Sequence, residues 1–258
     1  MANILVIGAN RGIGYFMVER LLQMDNSLAV LDIDLRNLDM IKEKYPNSIF
    51  TYAADCKDIW AMRRSIQEAY DELGSFDVAI YNACIYSFES EADTRLITYE
   101  NVMDTNYFGA VRMTKLVLPY LREQGAGRII FTSSTAGVTG FVNLSPYASS
   151  KGAIESFAKC MELENKEYGI SFHLFHPPLT ETASAAGLGI SREYMEDAKE
   201  VGYGLAEKIW SKKFIICNSF LKSLQINLAY RYPLFFGRRY VKKIKKPLET
   251  RAKKGVIN

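Results

Sequence analysis

A tyrosine and a lysine one helical turn apart are the residues of this sequence best suited to proton transfer. Tyr147 and Lys151 are four positions apart, so in a helix their side chains share one face. A phenol titrates near about 10 in water, and a neighbouring ammonium group lowers its pKa by favouring the phenolate. Ser134, at the end of an apolar run, can donate a hydrogen bond to a substrate oxygen. A Tyr-x-x-x-Lys spacing is common on helix surfaces, so the pair needs support from other motifs.

Glycines follow the first apolar run of the chain, and an amphipathic pattern typical of a helix comes directly after them. Glycine lets the chain turn tightly and lets backbone amides approach a pyrophosphate, while the helix N-terminus offers unpaired N–H donors. We therefore predict a dinucleotide site at this turn, formed by Gly8, Asn10, Arg11, Gly12, Ile13 and Gly14.

Two charged residues bear on the choice between NAD and NADP. Asp32 lies 24 residues beyond Gly8, close to the spacing of about 20 at which an acid meets the adenosine ribose hydroxyls. A carboxylate there repels a 2′-phosphate and favours NAD, whereas the Arg11 guanidinium could pair with that phosphate and favour NADP. The expected cofactor is NAD or NADP, with Asp32 inclining the prediction towards NAD.

An alternation of short apolar runs and longer amphipathic segments must position these residues. The runs predict strands at 3–7, 28–32, 48–53, 76–81, 127–133, 170–176 and 213–217. The amphipathic segments predict helices at 12–24, 35–44, 57–71, 97–123, 147–168 and 192–211. This succession indicates an α/β fold, a doubly wound parallel sheet of about seven strands with helices on both faces. We expect one domain over 1–217, with a substrate loop near 178–200, and an extension over 218–258.

Taken together, the motifs resemble those of the short-chain dehydrogenase/reductase family over about residues 1–217. The glycine turn matches the GxxxGxG motif of the family, and Asn82-Ala83 match the start of its Asn-Ala-Gly motif. The catalytic tetrad of the family is matched by Asn106, Ser134, Tyr147 and Lys151. The resemblance implies a Rossmann-type sheet and adds these residues to the cofactor site: Asp55 at the adenine, Cys56, Asn82, Ala83, Tyr147, Lys151, Pro177 and Thr182.

The resemblance also implies a reaction, in which hydride passes between C4 of the nicotinamide and the substrate carbon. Tyr147 would give or take the proton on the substrate oxygen, which Ser134 orients and polarises. Lys151 would tune Tyr147 and bond the nicotinamide ribose, and Asn106 would hold a water that relays protons. The implied function is an NAD(P)-dependent oxidoreductase that interconverts a carbonyl and an alcohol.

Three positions depart from the pattern of the family. Ile7 stands where threonine usually precedes the first glycine, and Cys84 replaces the glycine of Asn-Ala-Gly. Pro177-Pro178 replaces a Pro-Gly pair, although Thr182 still matches the threonine that bonds the carboxamide. These changes bear on fine cofactor geometry more than on activity.

The segments expected to form the substrate pocket, 85–90, 138–146 and 178–200, are mostly apolar. They favour a small-molecule carbonyl or alcohol substrate of hydrophobic character, with ordinary loop packing as the alternative explanation.

Four cysteines without a CxxC pair and two histidines make a metal site unexpected. The first residues lack the pattern of a signal peptide, so we expect a cytoplasmic protein. A homodimer or homotetramer is the expected assembly.

The C-terminal extension carries strong positive charge. Residues 231–258 hold ten Lys or Arg residues and one acid, Glu249, directly after the apolar and aromatic stretch 218–236. That combination suits peripheral contact with an anionic membrane through 218–258. A helix packed over the substrate pocket or a neighbouring subunit is the competing interpretation. No nucleic acid is expected, because no recognised binding module accompanies the basic run.

Two other functions fit the same fold. A catalytically silent nucleotide-sensing or scaffolding protein would be expected to lose Tyr147 or Lys151, and both are present. An epimerase or dehydratase acting on sugar nucleotides would need a larger C-terminal region.

Overall fold

The structure is a computed structural model that describes residues 1–183, 185, 188 and 190–242. The central element is a parallel sheet of seven strands, as the sequence predicted, and the structure gives their order as β3-β2-β1-β4-β5-β6-β9. Its strands are β1 (Asn3–Ile7), β2 (Ser27–Asp32), β3 (Ile49–Ala53), β4 (Val78–Tyr81), β5 (Gly127–Thr132), β6 (Ile170–Phe175) and β9 (Ile215–Ile216). Nearly every residue of β1, β4 and β5 is buried, as expected for strands covered on both faces.

Besides a helical segment at 233–242, the described residues contain nine α-helices. They are α1 (Gly12–Gln23), α2 (Asp39–Lys44), α3 (Ile59–Leu73), α4 (Leu96–Met103), α5 (Gly109–Gln124), α6 (Thr135–Thr139), α7 (Ser145–Asn165), α8 (Ala198–Ala206) and α9 (Phe220–Arg231). One face of the sheet is packed by α3, α5 and α7, and the other by α1, α2 and α8. Of the helices that are described, none is long and apolar enough to cross a membrane.

Two predicted helices differ from those observed. The segment predicted as one helix over 97–123 is divided by a π-helical stretch, Asp104–Phe108, between α4 and α5. Such stretches occur often at functional sites, and this one contains Asn106. The segment predicted as a helix over 192–211 begins with a short 3₁₀ turn and a strand, because Glu196–Asp197 (β8) pairs in parallel with Thr180–Glu181 (β7).

The strand order places the functional site. From β1 the chain moves outward through β2 and β3, and it then returns to β4 on the other side of β1. Ligands bind in α/β sheets at such a reversal, beyond the carboxyl ends of the strands. The glycine turn after β1, Asn82 after β4 and Ser134 shortly after β5 all lie at this edge.

Candidate active site

A cavity of about 630 Å³ lies at this edge and joins the glycine turn to α7. Most of the predicted site residues line it: Gly8, Arg11, Gly12, Ile13, Asp32, Asp55, Cys56, Asn82, Ala83, Ser134, Tyr147, Lys151, Pro177 and Thr182. Asn10, Gly14 and Asn106 do not line it, and their side chains or backbone support residues that do.

The glycine turn needs residues without a side chain. Gly8 has a φ of +88°, and a Cβ there would lie 2.3 Å from the backbone nitrogen of Ala83. A Cβ on Gly14 would lie 2.4 Å from the carbonyl oxygen of Gly8. Helix α1 then begins with no side-chain cap on its free N–H groups and no acid in its first turn. Those donors suit a pyrophosphate, so this part of the cavity fits a dinucleotide.

Asp32 holds the glycine turn in place. Its Oδ2 accepts hydrogen bonds from the backbone N–H groups of Ala9 and Asn10, each at 2.8 Å. The Asn10 side chain in turn accepts from the Asn37 N–H at 2.9 Å, which ties the turn to the loop after β2. One carboxylate oxygen is therefore already engaged with the backbone, a role that the sequence argument did not anticipate.

The next acid along the chain, Asp34, is half-buried like Asp32. It forms a bidentate pair with Arg36, with separations of 2.9 and 2.6 Å. The hydrogen bonds from Arg36 lower the Asp34 pKa to about 2, and Arg11 adds a smaller attraction. Asp34 is thus a fixed negative charge within the electrostatic reach of Arg11.

Asn82 connects the ends of three neighbouring strands. Its Nδ2 donates to the carbonyl oxygen of Gly8 at 2.7 Å, and its Oδ1 accepts from the Thr132 hydroxyl at 3.0 Å.

Asp55, which the resemblance places at the adenine, accepts a hydrogen bond from the Lys57 N–H at 2.9 Å. Burial raises the pKa of the neighbouring Cys56 thiol, so this cysteine is a packing residue at neutral pH.

Helix α7 carries Tyr147 and Lys151 on one face, as their spacing predicted. The Lys151 Nζ lies 5.6 Å from the centre of the Tyr147 ring and donates to the carbonyl oxygen of Thr132 at 2.7 Å. The Ser134 Oγ accepts from the Ala136 N–H at 3.2 Å and so caps α6. The Ser134 hydroxyl is also close enough to the Tyr147 phenol to lower its pKa. The three groups therefore form one constellation at the cavity wall.

Burial controls the protonation of this pair. It raises the pKa of the Tyr147 phenol, and the nearby Ser134 hydroxyl opposes this effect only in part. It lowers the pKa of Lys151 for the corresponding reason, since a buried ammonium loses its hydration. From the sequence, Lys151 was expected to lower the Tyr147 pKa, but desolvation by burial is the largest effect and raises it. The phenol is protonated at neutral pH, which is the form that a proton donor requires.

Asn106 stands one layer behind the constellation. Its Oδ1 accepts from the Ile85 N–H at 2.8 Å, and its Nδ2 donates to the Ile85 carbonyl and to the Ser150 hydroxyl, both at 2.9 Å. These bonds fix the chain that precedes Tyr86, whose ring packs edge-on against Tyr147 at 5.6 Å. In this arrangement Asn106 orients the wall of the cavity rather than forming it.

Beyond Tyr147 the wall is apolar. Leu144, Ala185 and Leu188 form a buried cluster there. Around it pack Tyr86, Phe88, Phe141, Tyr147, Ile190 and Met195. All three segments predicted to form the substrate pocket contribute to this wall. Within the predicted loop, Ser184, Ala186, Gly187 and Gly189 lie outside the described residues, as does 243–258 at the end of the extension.

The sequence analysis missed several residues that line the cavity, above all His176, Lys222, Gln225 and Tyr240. His176 directly follows β6, a strand-end position that could have drawn attention to it. The other three belong to the C-terminal extension. Helix α9 packs on α6 and closes the cavity, which was one of the competing interpretations of the extension.

Comparison with known proteins points to the same chemistry. The chain is 35% identical over 119 residues to an uncharacterized oxidoreductase, YusZ, of Bacillus subtilis, a match that covers 46% of this chain and 42% of that protein. It is 29% identical over 203 residues to a 3-ketodihydrosphingosine reductase of Dictyostelium discoideum, with 70% of this chain and 60% of that protein covered. The matched region thus spans about half the length of these curated relatives.

The fold also matches a solved structure, a 3-ketoacyl-(acyl-carrier-protein) reductase from Brucella melitensis complexed with NADH. The TM-score is 0.75 at 19% identity, and the match covers 84% of this chain and 94% of the other. The family model for short chain dehydrogenases matches residues 2–192. The predictions of family and fold are therefore confirmed, and the choice between NAD and NADP stays open. The chain belongs to the short-chain dehydrogenase family of NAD(P)-dependent oxidoreductases.

Proposed function

We propose that the protein is an NAD(P)-dependent enzyme that interconverts a carbonyl and an alcohol on a hydrophobic substrate. One observation carries the proposal: a single cavity joins the uncapped N-terminus of α1 to the buried Tyr147 phenol and continues along an apolar wall. A bound nicotinamide would supply or accept the hydride in this cavity.

The residues of the chain would handle the proton and the position of the oxygen. In the direction of reduction, the protonated Tyr147 donates its proton to the substrate oxygen as negative charge develops on it. Ser134, which lies beside the phenol, can donate to the same oxygen. Lys151, anchored on the Thr132 carbonyl, supports the phenolate that is left behind.

The binding of the dinucleotide would rest on backbone and acid groups. The amides of the α1 N-terminus would hold the pyrophosphate, and Asn82 would keep the glycine turn closed against β4. Asp32 lines the cavity but lends one oxygen to that turn, so we propose that the charge of Asp34, which does not itself line the cavity, adds to the discrimination against a 2′-phosphate, with Arg11 acting in the opposite sense. These charges leave NAD or NADP as the cofactor, and the preference for NAD depends on both acids.

The apolar wall supports a substrate with an extended hydrocarbon portion. Fully burying an aliphatic side chain of leucine size contributes about 1.5–3 kcal/mol, so each additional methylene that reaches this wall should strengthen binding. The Dictyostelium relative is named for a 3-keto compound of the sphingosine type, which agrees with a substrate of this class.

The test is a series of 2-alkanones of graded chain length, each assayed with NADH and with NADPH. We expect kcat/KM to rise with chain length until the wall is filled. Tyr147→Phe provides the blank for each substrate. Activity that is independent of chain length would contradict the hydrophobic substrate. Binding of the dinucleotide without turnover of any carbonyl or alcohol would favour the catalytically silent alternative.

Several finer points of the sequence analysis stay proposals. We propose residues 1–217 as the catalytic domain and 218–258 as its extension, a homodimer or homotetramer as the assembly, and a cytoplasmic protein with peripheral membrane contact. No partner other than the substrate, the cofactor and such a membrane is proposed, and nucleic acid is not among them.

A further inference from the structure

Helix α9 carries apolar side chains on both its inward and its outward face. Ile226 and Ala229 are buried, and Lys222, Gln225 and Ile226 line the cavity. On the opposite face, four large apolar side chains are exposed: Phe220 75%, Leu221 74%, Leu224 53% and Leu228 41%. Several large apolar side chains exposed side by side mark an interaction surface, so the outward face of α9 is suited to a partner.

A second helical segment follows α9 and also exposes apolar side chains. Residues 233–242 are helical. Leu234 and Phe235 are exposed, and so are the cations that follow at helical spacing on the same side, Arg238, Arg239 and Lys242. We call these five residues, together with the outward face of α9, the C-terminal surface. It is an apolar patch bordered by cations.

Helix α9 and the segment 233–242 also contact each other on the side that lines the cavity. The Gln225 amide donates to the Tyr240 hydroxyl, and both side chains line the cavity. A Cβ on Gly237 would lie 2.6 Å from the carbonyl oxygen of Thr139, so the second segment packs closely on α6. The C-terminal surface is therefore the outside of the wall that closes the substrate cavity.

Charge indicates which partner covers this surface. From Asn218 to Leu248 the sequence contains eight Lys or Arg residues and no acid. A second copy of the chain would bring the same positive surface against it, which is unfavourable. An anionic lipid surface attracts each cation and accepts the apolar side chains at its acyl boundary.

We infer that the C-terminal surface docks on an anionic lipid bilayer and thereby holds the wall of the substrate cavity at the membrane interface. Docking itself is independent of the reaction. Delivery of the substrate from the bilayer rests on the proposed function, because only an apolar substrate partitions into lipid.

The experiment uses the full chain with vesicles of phosphatidylcholine alone and of phosphatidylcholine with phosphatidylserine. The variants are Leu234→Ser/Phe235→Ser, which removes apolar contact, and Arg238→Glu/Arg239→Glu, which reverses charge. A matched control, Trp60→Ser/Leu163→Ser, alters two equally exposed apolar residues on α3 and α7. None of these residues is in the catalytic constellation.

We expect wild type and control to co-sediment with the anionic vesicles, and each C-terminal variant to lose about tenfold or more in partitioning. High salt should weaken binding, because it screens the attraction between the cations and the lipid. Equal binding to both vesicle types, or full binding by both variants, would overturn the proposal. So would a concentration-dependent dimer that the same variants abolish, since a second copy would then cover the surface.

Turnover separates this proposal from the proposed function. With a short water-soluble carbonyl, the C-terminal variants should match wild type, whereas a long-chain carbonyl carried in anionic vesicles should be reduced more slowly. Vesicle binding without turnover of either substrate would refute the enzyme and leave docking intact. Wild-type rates on the vesicle-borne substrate in both variants would refute delivery from the membrane.

Discussion

The hydroxyl group of Tyr230 in α9 lies 3.1 Å from Nε2 of His176, the residue that follows β6. The same imidazole nitrogen is 3.3 Å from the buried Glu155 carboxylate, which accepts a hydrogen bond from Ser133 at 2.7 Å. A polar network therefore joins the C-terminal extension to the strand ends beneath the cavity. Because the matched family region ends at residue 192, Tyr230 contributes a contact from outside it.

Tyr230→Phe should loosen α9 without removing the helix. The change deletes one hydrogen bond in a largely buried network, worth about 0.5–1.5 kcal/mol, which corresponds to a fall of roughly 1–6 °C in Tm. Thermal unfolding followed by circular dichroism measures it. Tyr232→Phe, at an exposed position in the same region, is the control and should leave Tm unchanged. Equal shifts in both variants would mean that the His176 contact does not hold the helix.

Tyr147→Phe should leave the fold and the affinity for the dinucleotide near wild type and lower kcat by about 10²–10⁴-fold. The phenyl ring keeps its packing against Tyr86, and only the proton donor is lost. Steady-state kinetics together with titration of nucleotide fluorescence separate the two effects. Turnover close to that of wild type would remove the central role given to this residue.

Lys151→Met should lower both turnover and the affinity for the dinucleotide. Methionine fills the buried space but cannot donate to the Thr132 carbonyl or stabilise a phenolate at Tyr147. The unpaired carbonyl should also cost stability, about 1–3 kcal/mol. Comparison of kcat with the dissociation constant of the dinucleotide decides the matter. If only binding weakened, the support of Tyr147 by this lysine would be wrong.

Asp32 and Asp34 should respond differently to substitution. Asp32→Ala removes the acceptor for two backbone N–H groups of the glycine turn, so affinity for NAD and NADP should fall together. Asp34→Ala removes a negative charge and should shift the ratio of kcat/KM values towards NADP. Dissociation constants and kcat/KM for both cofactors provide the measurement. A shift in that ratio for Asp32→Ala alone would leave the discrimination to Asp32.

The sheet and the catalytic constellation could be predicted because each rests on local pattern. Buried parallel strands give continuous apolar runs, and the helical spacing of Tyr147 and Lys151 survives any tertiary arrangement. The direction in which a short side chain forms its hydrogen bonds cannot be predicted from local pattern in this way. Asp32 both bonds the turn and lines the cavity, and this double role depends on the path of residues 8–10, which spacing from Gly8 does not encode.

Two further features were beyond the sequence for related reasons. The π-helical stretch around Asn106 has the composition of ordinary helix, so nothing in it separates α4 from α5. Helix α9 has apolar residues on both faces, and a pattern without one preferred face could not decide between packing on the protein and contact with a membrane. It also follows that deleting residues 231–258 would be a poor test of the extension, because Tyr240 lines the cavity.

Glu196 of β8 joins the C-terminal extension to the segment beside the apolar wall. Its Oε1 pairs with the Lys222 ammonium at 2.5 Å, and its Oε2 accepts from the Asn218 side chain at 3.0 Å. The strand that carries it follows Met195 of the apolar wall. A displacement of α9 would therefore be transmitted through Glu196 to the segment beside the apolar wall. Thermodynamic linkage then requires reciprocity: a substrate that binds more tightly to the docked protein strengthens docking by the same factor.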